Sequence, residues 1–239
     1  MAITTIEDLR RHLQWAIELE HATLPPYLCA LYSIEEGSNE DAVEVIHSVF
    51  MEEMLHLTLA ANILNAIGGL PQIDVPSILP SFPAYLPHSN QAFEVSLRKF
   101  SPEALETFLM IERPAAHGEL PEDNDFETIG QFYEAIEEAL GSLSEQLGEE
   151  ALFCGDPARQ VTDELYYGAS GRIITVRDFA SAKAALGEIV EQGEGLQHQE
   201  VWDGDLDMFH PERAEVAHYF RFEELKLGGL EGLEPNEIH

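Results

Sequence analysis

The chain has 239 residues and a formal net charge of −33, because 45 Asp and Glu residues outnumber 12 Lys and Arg residues. This length can bury a substantial core and favours one domain with insertions over two independent ones. The charge argues against nucleic acids and anionic membrane surfaces as partners, since both are bound by cationic patches. We expect most of the acids to serve solubility and only a few to be functional.

The two cysteines, Cys29 and Cys154, form neither a disulfide framework nor a Cys-x-x-Cys metal motif. Residues 1–11 lack the basic start and apolar stretch of a signal peptide, and no later run approaches the ~18 apolar residues of a membrane helix. We therefore expect a soluble, cytoplasmic protein without a membrane partner.

Apolar residues recur at three- and four-residue steps in four segments, which predicts four amphipathic helices. These helices cover about residues 6–33, 39–67, 178–198 and 212–227. Gly68, Gly69 and Pro71 end the second helix, and Pro211 begins the fourth. The fold class predicted from this pattern is an all-α four-helix bundle within one domain, residues 1–227, followed by a flexible tail, 228–239.

A long insertion, residues 68–177, separates the two helix pairs. Five prolines within residues 71–100 indicate an extended crossover there. Two further helices are predicted in the insertion, one starting at Ser101-Pro102 and one over about residues 128–147. Strand-forming residues on both sides of residues 168–171 predict a small β-hairpin between Gln160 and Val176.

Two of the bundle helices carry the same motif, Glu53-Met54-Leu55-His56 and Glu215-Val216-Ala217-His218. Residues i and i+3 lie on one face of a helix, so each Glu-x-x-His offers a carboxylate and an imidazole to one point. The other two helices each supply a glutamate on or beside the apolar stripe, Glu20 and Glu194. Two such motifs with two more glutamates match the ligand set of a two-metal site in a helical bundle. The predicted metal ligands are Glu20, Glu53, His56, Glu194, Glu215 and His218.

This donor set contains carboxylates and imidazoles but no thiol, which suits two ions of iron or manganese. Two rivals for individual ligand positions remain. Glu112 lies at the centre of an apolar stripe, where the alternative to metal binding is a salt bridge to Arg113 or Arg172. His198 follows Glu194 by four residues and could replace His218.

Four stretches of the chain resemble the ferritin-like family named for iminophenyl-pyruvate dimer synthase. They are LEHATLPPYL (19–28), EEMLH (52–56) followed by ANILNAIGG (61–69), QGEG (192–195) and HYFRF (218–222). That family includes domains of enzymes that couple two indole imines in violacein- and rebeccamycin-type pigment pathways. The resemblance implies a ferritin-like bundle and places the metal at the same six residues.

Two hypotheses for function follow. The first is a dinuclear iron or manganese oxidoreductase that activates dioxygen or peroxide and acts on a small molecule, with an amino-acid-derived compound as one candidate. The second is a non-catalytic binding or structural bundle, whose inward acids pair with cations and which carries out no metal chemistry. Self-association into a homo-oligomer is left open.

Overall fold

The structure, a computed structural model, describes residues 3–88, 93–113, 129–166, 171–194 and 217–227. Helices dominate these residues, and the predicted all-α bundle with an insertion is confirmed. The α-helices are α1 (Ile6–Leu31), α2 (Glu40–Ala66), α3 (Pro102–Ile111), α4 (Ile129–Leu147), α5 (Glu149–Leu152), α6 (Phe179–Glu194) and α7 (His218–Leu227). The predicted helix residues 195–198 and 212–216 and the predicted tail lie outside the described residues.

Local sequence signals set several helix ends. The side chain of Thr5 caps α1 by accepting a hydrogen bond from the backbone N–H of Asp8 at 3.1 Å. Ser101 caps α3 in the same way, and Pro102 follows at the first helical position. After α2, Gly68 adopts a φ of +72°, a left-handed conformation that favours glycine and stops the helix.

The long helices α1 and α2 pack against each other and form one side of the bundle, and shorter helices complete it. α6 packs on α2, and α4 packs on both α6 and α1, so these four helices form a closed ring. α7 packs on α2, and α3 packs on both α7 and α1, which closes a second ring on the same long pair. The predicted insertion therefore supplies α3 and α4 to the walls of the bundle.

The small β-hairpin is present, but its predicted place was wrong. The structure pairs β1 (Ala84–Tyr85) with β2 (Glu94–Val95) in antiparallel register, within the segment predicted to be an extended crossover. The described residues between Gln160 and Val176 form no strand.

Side chains take the place of a strand ladder between Gln160 and Val176. The amide of Gln160 bonds both the N–H and the carbonyl of Val176 at 2.7 Å. The amide of Asn62 on α2 bonds the N–H and carbonyl of Val161 and the carbonyl of Ile174, at 2.9–3.0 Å. These amides satisfy backbone groups that would otherwise need a strand partner.

No helix in the described parts of the chain combines the length and apolar character needed to cross a bilayer. Cys29 is half-buried, Cys154 is exposed, and both are free thiols.

Candidate metal centre

Two groups of buried carboxylates and imidazoles lie inside the bundle and share one residue. Glu20, Glu53 and His56 form the first group, and Glu53, Glu112 and His218 form the second. Within each group, one potential ligand atom per residue lies within 4.8 Å of the others. We call the five residues together the Glu/His cluster.

The Glu/His cluster lies where helices from both rings meet. Glu20 and Glu53 come from the middle of α1 and α2, while Glu112 directly follows α3 and His218 begins α7. The long helices thus hold three residues of the cluster, including His56, and the ends of shorter helices bring in the other two.

Both imidazoles direct Nδ1 toward the carboxylates. His56 Nδ1 lies 3.6 Å from Glu20 Oε2 and 3.7 Å from Glu53 Oε1. His218 Nδ1 lies 3.1 Å from the same oxygen of Glu53 and 3.3 Å from Glu112 Oε2. The same oxygen, Glu53 Oε1, therefore faces both imidazoles.

The outer nitrogen of each imidazole has its own partner. His56 Nε2 lies 2.9 Å from the amide oxygen of Gln192 on α6. His218 Nε2 lies 2.7 Å from Glu52 Oε2, and Arg221 Nη1 donates to both oxygens of that carboxylate at 2.9 and 3.1 Å. In a neutral imidazole that donates Nε2–H outward, Nδ1 keeps its lone pair toward the cluster, as a metal ligand requires.

The carboxylates are also held by hydrogen bonds. Tyr133 donates to Glu20, and Tyr27 donates to Glu112. The hydroxyl of Thr23 lies 2.6 Å from Glu53 Oε2. The two tyrosines are fully buried, so they are core residues and also orient acids of the cluster.

Burial opposes charge on the acids. It raises the pKa of Glu20 to about 7, and it also raises the pKa of Glu53 and Glu112. Burial lowers the pKa of His56. Burial alone would also lower the pKa of His218, but the neighbouring Glu112, Glu52 and Glu53 raise it well above its usual value.

A bound cation fits these residues well. Three buried carboxylates whose pKa burial raises lie close together. Arg221, the buried arginine of the described residues, is paired with Glu52. Metal ions compensate such buried charge directly, and oxygen and imidazole donors without thiolate suit iron or manganese. The outward hydrogen bonds at Nε2 are those that orient histidine ligands in metalloproteins.

A small cavity, partly open to solvent, adjoins the cluster. Its lining includes Glu20, Glu53, His56 and Glu112 of the cluster, together with Tyr133. The remaining walls come from the ends of α3, α4 and α6. They consist of Ile111, Arg113, Ile129, Gly130, Ile189, Val190 and Gly193.

The structure brings together four of the six residues proposed as ligands from the sequence, Glu20, Glu53, His56 and His218. Glu194 ends α6, but its side chain lies outside the described parts of the chain, as do all of Glu215 and the rival His198.

Glu112, the other rival, belongs to the cluster and contacts His218 and Tyr27. The salt bridges considered for it, to Arg113 or Arg172, do not occur among the described residues, and Arg172 pairs with Glu188 instead. Glu52 was missed by sequence reasoning. Helical spacing on α2 indicates the Glu-x-x-His motif but not Glu52, whose fully buried charge needs a partner from another helix.

Comparisons with known proteins agree with this architecture. The solved structure of a ferritin-like protein from Caulobacter vibrioides matches 95% of this chain and 74% of its own, with a TM-score of 0.67 and 24% sequence identity. At this identity the likeness shows the fold alone. No curated protein sequence matches the chain. The family model described as Ferritin-like matches residues 13–227, and the chain therefore belongs to the Ferritin-like family.

Proposed function

We propose that this protein is a dinuclear iron or manganese oxidoreductase that uses dioxygen or peroxide to oxidise a small molecule. The observation that carries the proposal is the single oxygen of Glu53 that faces both His56 Nδ1 and His218 Nδ1. This arrangement supports two adjacent cation positions with one bridging carboxylate.

The first cation would be held by Glu20, Glu53 and His56, and the second by Glu53, Glu112 and His218. Glu194 and Glu215 are proposed as additional ligands from the sequence. Iron or manganese bound here would supply electron transfer and the activation of dioxygen or peroxide. The protein residues orient the donor atoms, and Tyr133, Tyr27 and Thr23 hold the carboxylates in place.

The cavity next to the cluster supports a small-molecule substrate. Its isoleucine and valine walls would bind apolar surface and exclude water from the reacting centre. The resemblance to the iminophenyl-pyruvate dimer synthase family adds an amino-acid-derived compound to the proposal. We also propose that the protein acts in the cytoplasm, where its two thiols would stay reduced.

Metal content tests this function. Protein purified without added metal should contain up to two equivalents of iron or manganese by elemental analysis, and aerobic addition of Fe(II) to stripped protein should fill both positions. Glu53→Ala should lose both equivalents because it removes the shared ligand. Glu191→Ala is the control, since Glu191 is exposed on α6.

Two results would contradict the proposal. Protein that takes up no metal under either condition would rule out the dinuclear site. A Glu53→Ala variant with altered stability but unchanged oxidation activity would favour the non-catalytic bundle.

A further inference from the structure

We propose that Glu52 is a positioning residue that makes the cation position at His218 the tighter of the two. The inference deepens the proposed function and rests on it. Its basis is a difference between the two halves of a cluster that otherwise match closely.

The described ligands of the two positions are the same in kind. Each position has one imidazole Nδ1, one carboxylate of its own and the shared Glu53. The carboxylates that are not shared, Glu20 and Glu112, each accept a hydrogen bond from a buried tyrosine. Among the described residues, the donor groups that face the first position are therefore of the same chemical types as those that face the second.

The difference lies behind the imidazoles. The partner of His218 Nε2 is the carboxylate of Glu52 at 2.7 Å, while the partner of His56 Nε2 is the neutral amide of Gln192 at 2.9 Å. Arg221 donates to both oxygens of Glu52, and this ion pair fixes the direction of the carboxylate. Both Glu52 and His218 are fully buried, so water does not compete for the bond.

An ionised acceptor behind a histidine increases electron density at the opposite ring nitrogen and makes it a stronger ligand. An amide acceptor fixes the tautomer but polarises the ring less, because a charged hydrogen bond is roughly twice as strong as a neutral one. Loss of such an outer partner typically costs about 10- to 100-fold in metal affinity. Glu52 should therefore strengthen one position only.

Single-position variants allow each site to be measured alone. His56→Ala leaves the His218 position, and His218→Ala leaves the His56 position. Free Mn(II) is followed by electron paramagnetic resonance during titration of each variant, with and without Glu52→Gln. In the His56→Ala background, Glu52→Gln should weaken Mn(II) binding about 10- to 100-fold. In the His218→Ala background, Glu52→Gln should change Mn(II) binding less than about 3-fold, because the hydrogen bond of Glu52 is to His218, which that background lacks.

Two further variants guard against a folding defect. Glu52→Gln leaves Arg221 without its buried carboxylate, so the double variant Glu52→Gln/Arg221→Gln removes both charges and should give the same selective loss. Gln192→Glu places a carboxylate behind His56 and should strengthen Mn(II) binding in the His218→Ala background. Circular dichroism confirms the fold of each variant.

The outcomes separate this inference from the proposed function. Wild-type protein that binds no Mn(II) would contradict both. Wild-type protein that binds two equivalents, with Glu52→Gln weakening both positions equally or neither, would overturn only the role of Glu52.

Discussion

The imidazole rings of His56 and His218 stack with their centroids 5.5 Å apart and their planes 20° from parallel. Both direct Nδ1 at Oε1 of Glu53. The two histidines come from helices that begin far apart in the sequence, α2 and α7, so this pairing exists only in the folded bundle. In metal-free protein, several buried acids surround these rings. Burial disfavours their charged forms, so the free energy of unfolding should depend on pH.

We predict that metal-free protein loses stability as the pH rises from about 4.5 to about 7. Burial raises the pKa of Glu20 from 4.5 to about 7. Between these values the folded protein keeps a proton that the unfolded chain has released, so the free energy of unfolding falls as pH rises. A shift of this size corresponds to about 3 kcal/mol, fully present below pH 4.5 and lost above pH 7.

Urea denaturation in the presence of a chelator, at pH 5 and pH 7.5, measures this effect. Glu20→Gln should remove the Glu20 share of the pH dependence, while Glu191→Gln, at an exposed position on α6, should leave it unchanged. A Glu20→Gln variant with the same pH dependence as the wild type would show that Glu20 is not the group that titrates.

We predict that Glu112 is a metal ligand. Glu112→Gln should lose one of two bound equivalents, because it removes a charged donor from the His218 position and leaves Glu20, Glu53 and His56 in place. Glu106→Gln on α3, the helix that Glu112 directly follows, is the matched control, since Glu106 is exposed and pairs with Lys226 at 3.6 Å. Elemental analysis after loading with Mn(II) distinguishes the two variants. Equal metal content in both would remove Glu112 from the ligand set.

The sequence predicts much of this site because helical spacing is regular. Glu53 and His56 are one turn apart on α2, and Glu20 lies among apolar residues of α1, so each side chain could be assigned to an inward face. The presence of the bundle follows from the same periodicity.

The remaining features depend on contacts between distant elements. Glu112 follows the last residue of α3, and its direction depends on how α3 packs on α7. The charge of Glu52 is compensated by Arg221 from α7, which periodicity within α2 cannot indicate. The misplaced hairpin has the same cause, because Asn62 and Gln160 satisfy backbone groups that strand propensity assigns to a ladder.

We predict that the two tyrosines of the cluster differ in function despite similar hydrogen bonds. Tyr133→Phe and Tyr27→Phe should each lower stability by about 1–3 kcal/mol, because each leaves a buried carboxylate oxygen without its donor. Tyr133 lines the cavity, whereas Tyr27 packs against Phe108 and Phe222. Only Tyr133→Phe should therefore change the affinity of the cavity for phenol, measured by ligand-observed NMR. Equal effects of the two variants on phenol binding would argue against this cavity as the binding site.

Finally, we predict that Gly193 keeps the cavity open to a substrate. It lines the cavity, and a Cβ built on it meets no described atom within 4 Å, so the first carbon of a larger side chain has room there. Gly193→Leu should weaken binding of 4-tert-butylphenol by about 10-fold or more, equivalent to about 1.4 kcal/mol, and should leave Mn(II) stoichiometry intact. Gly187→Leu is the matched control, because Gly187 lies on the same helix with equally open space but outside the cavity lining. Both replacements remove a helical glycine and should raise helix stability by about 0.5–1 kcal/mol. If both weaken binding of 4-tert-butylphenol equally, the change in the helix is the cause, and Gly193 does not control entry to the cavity.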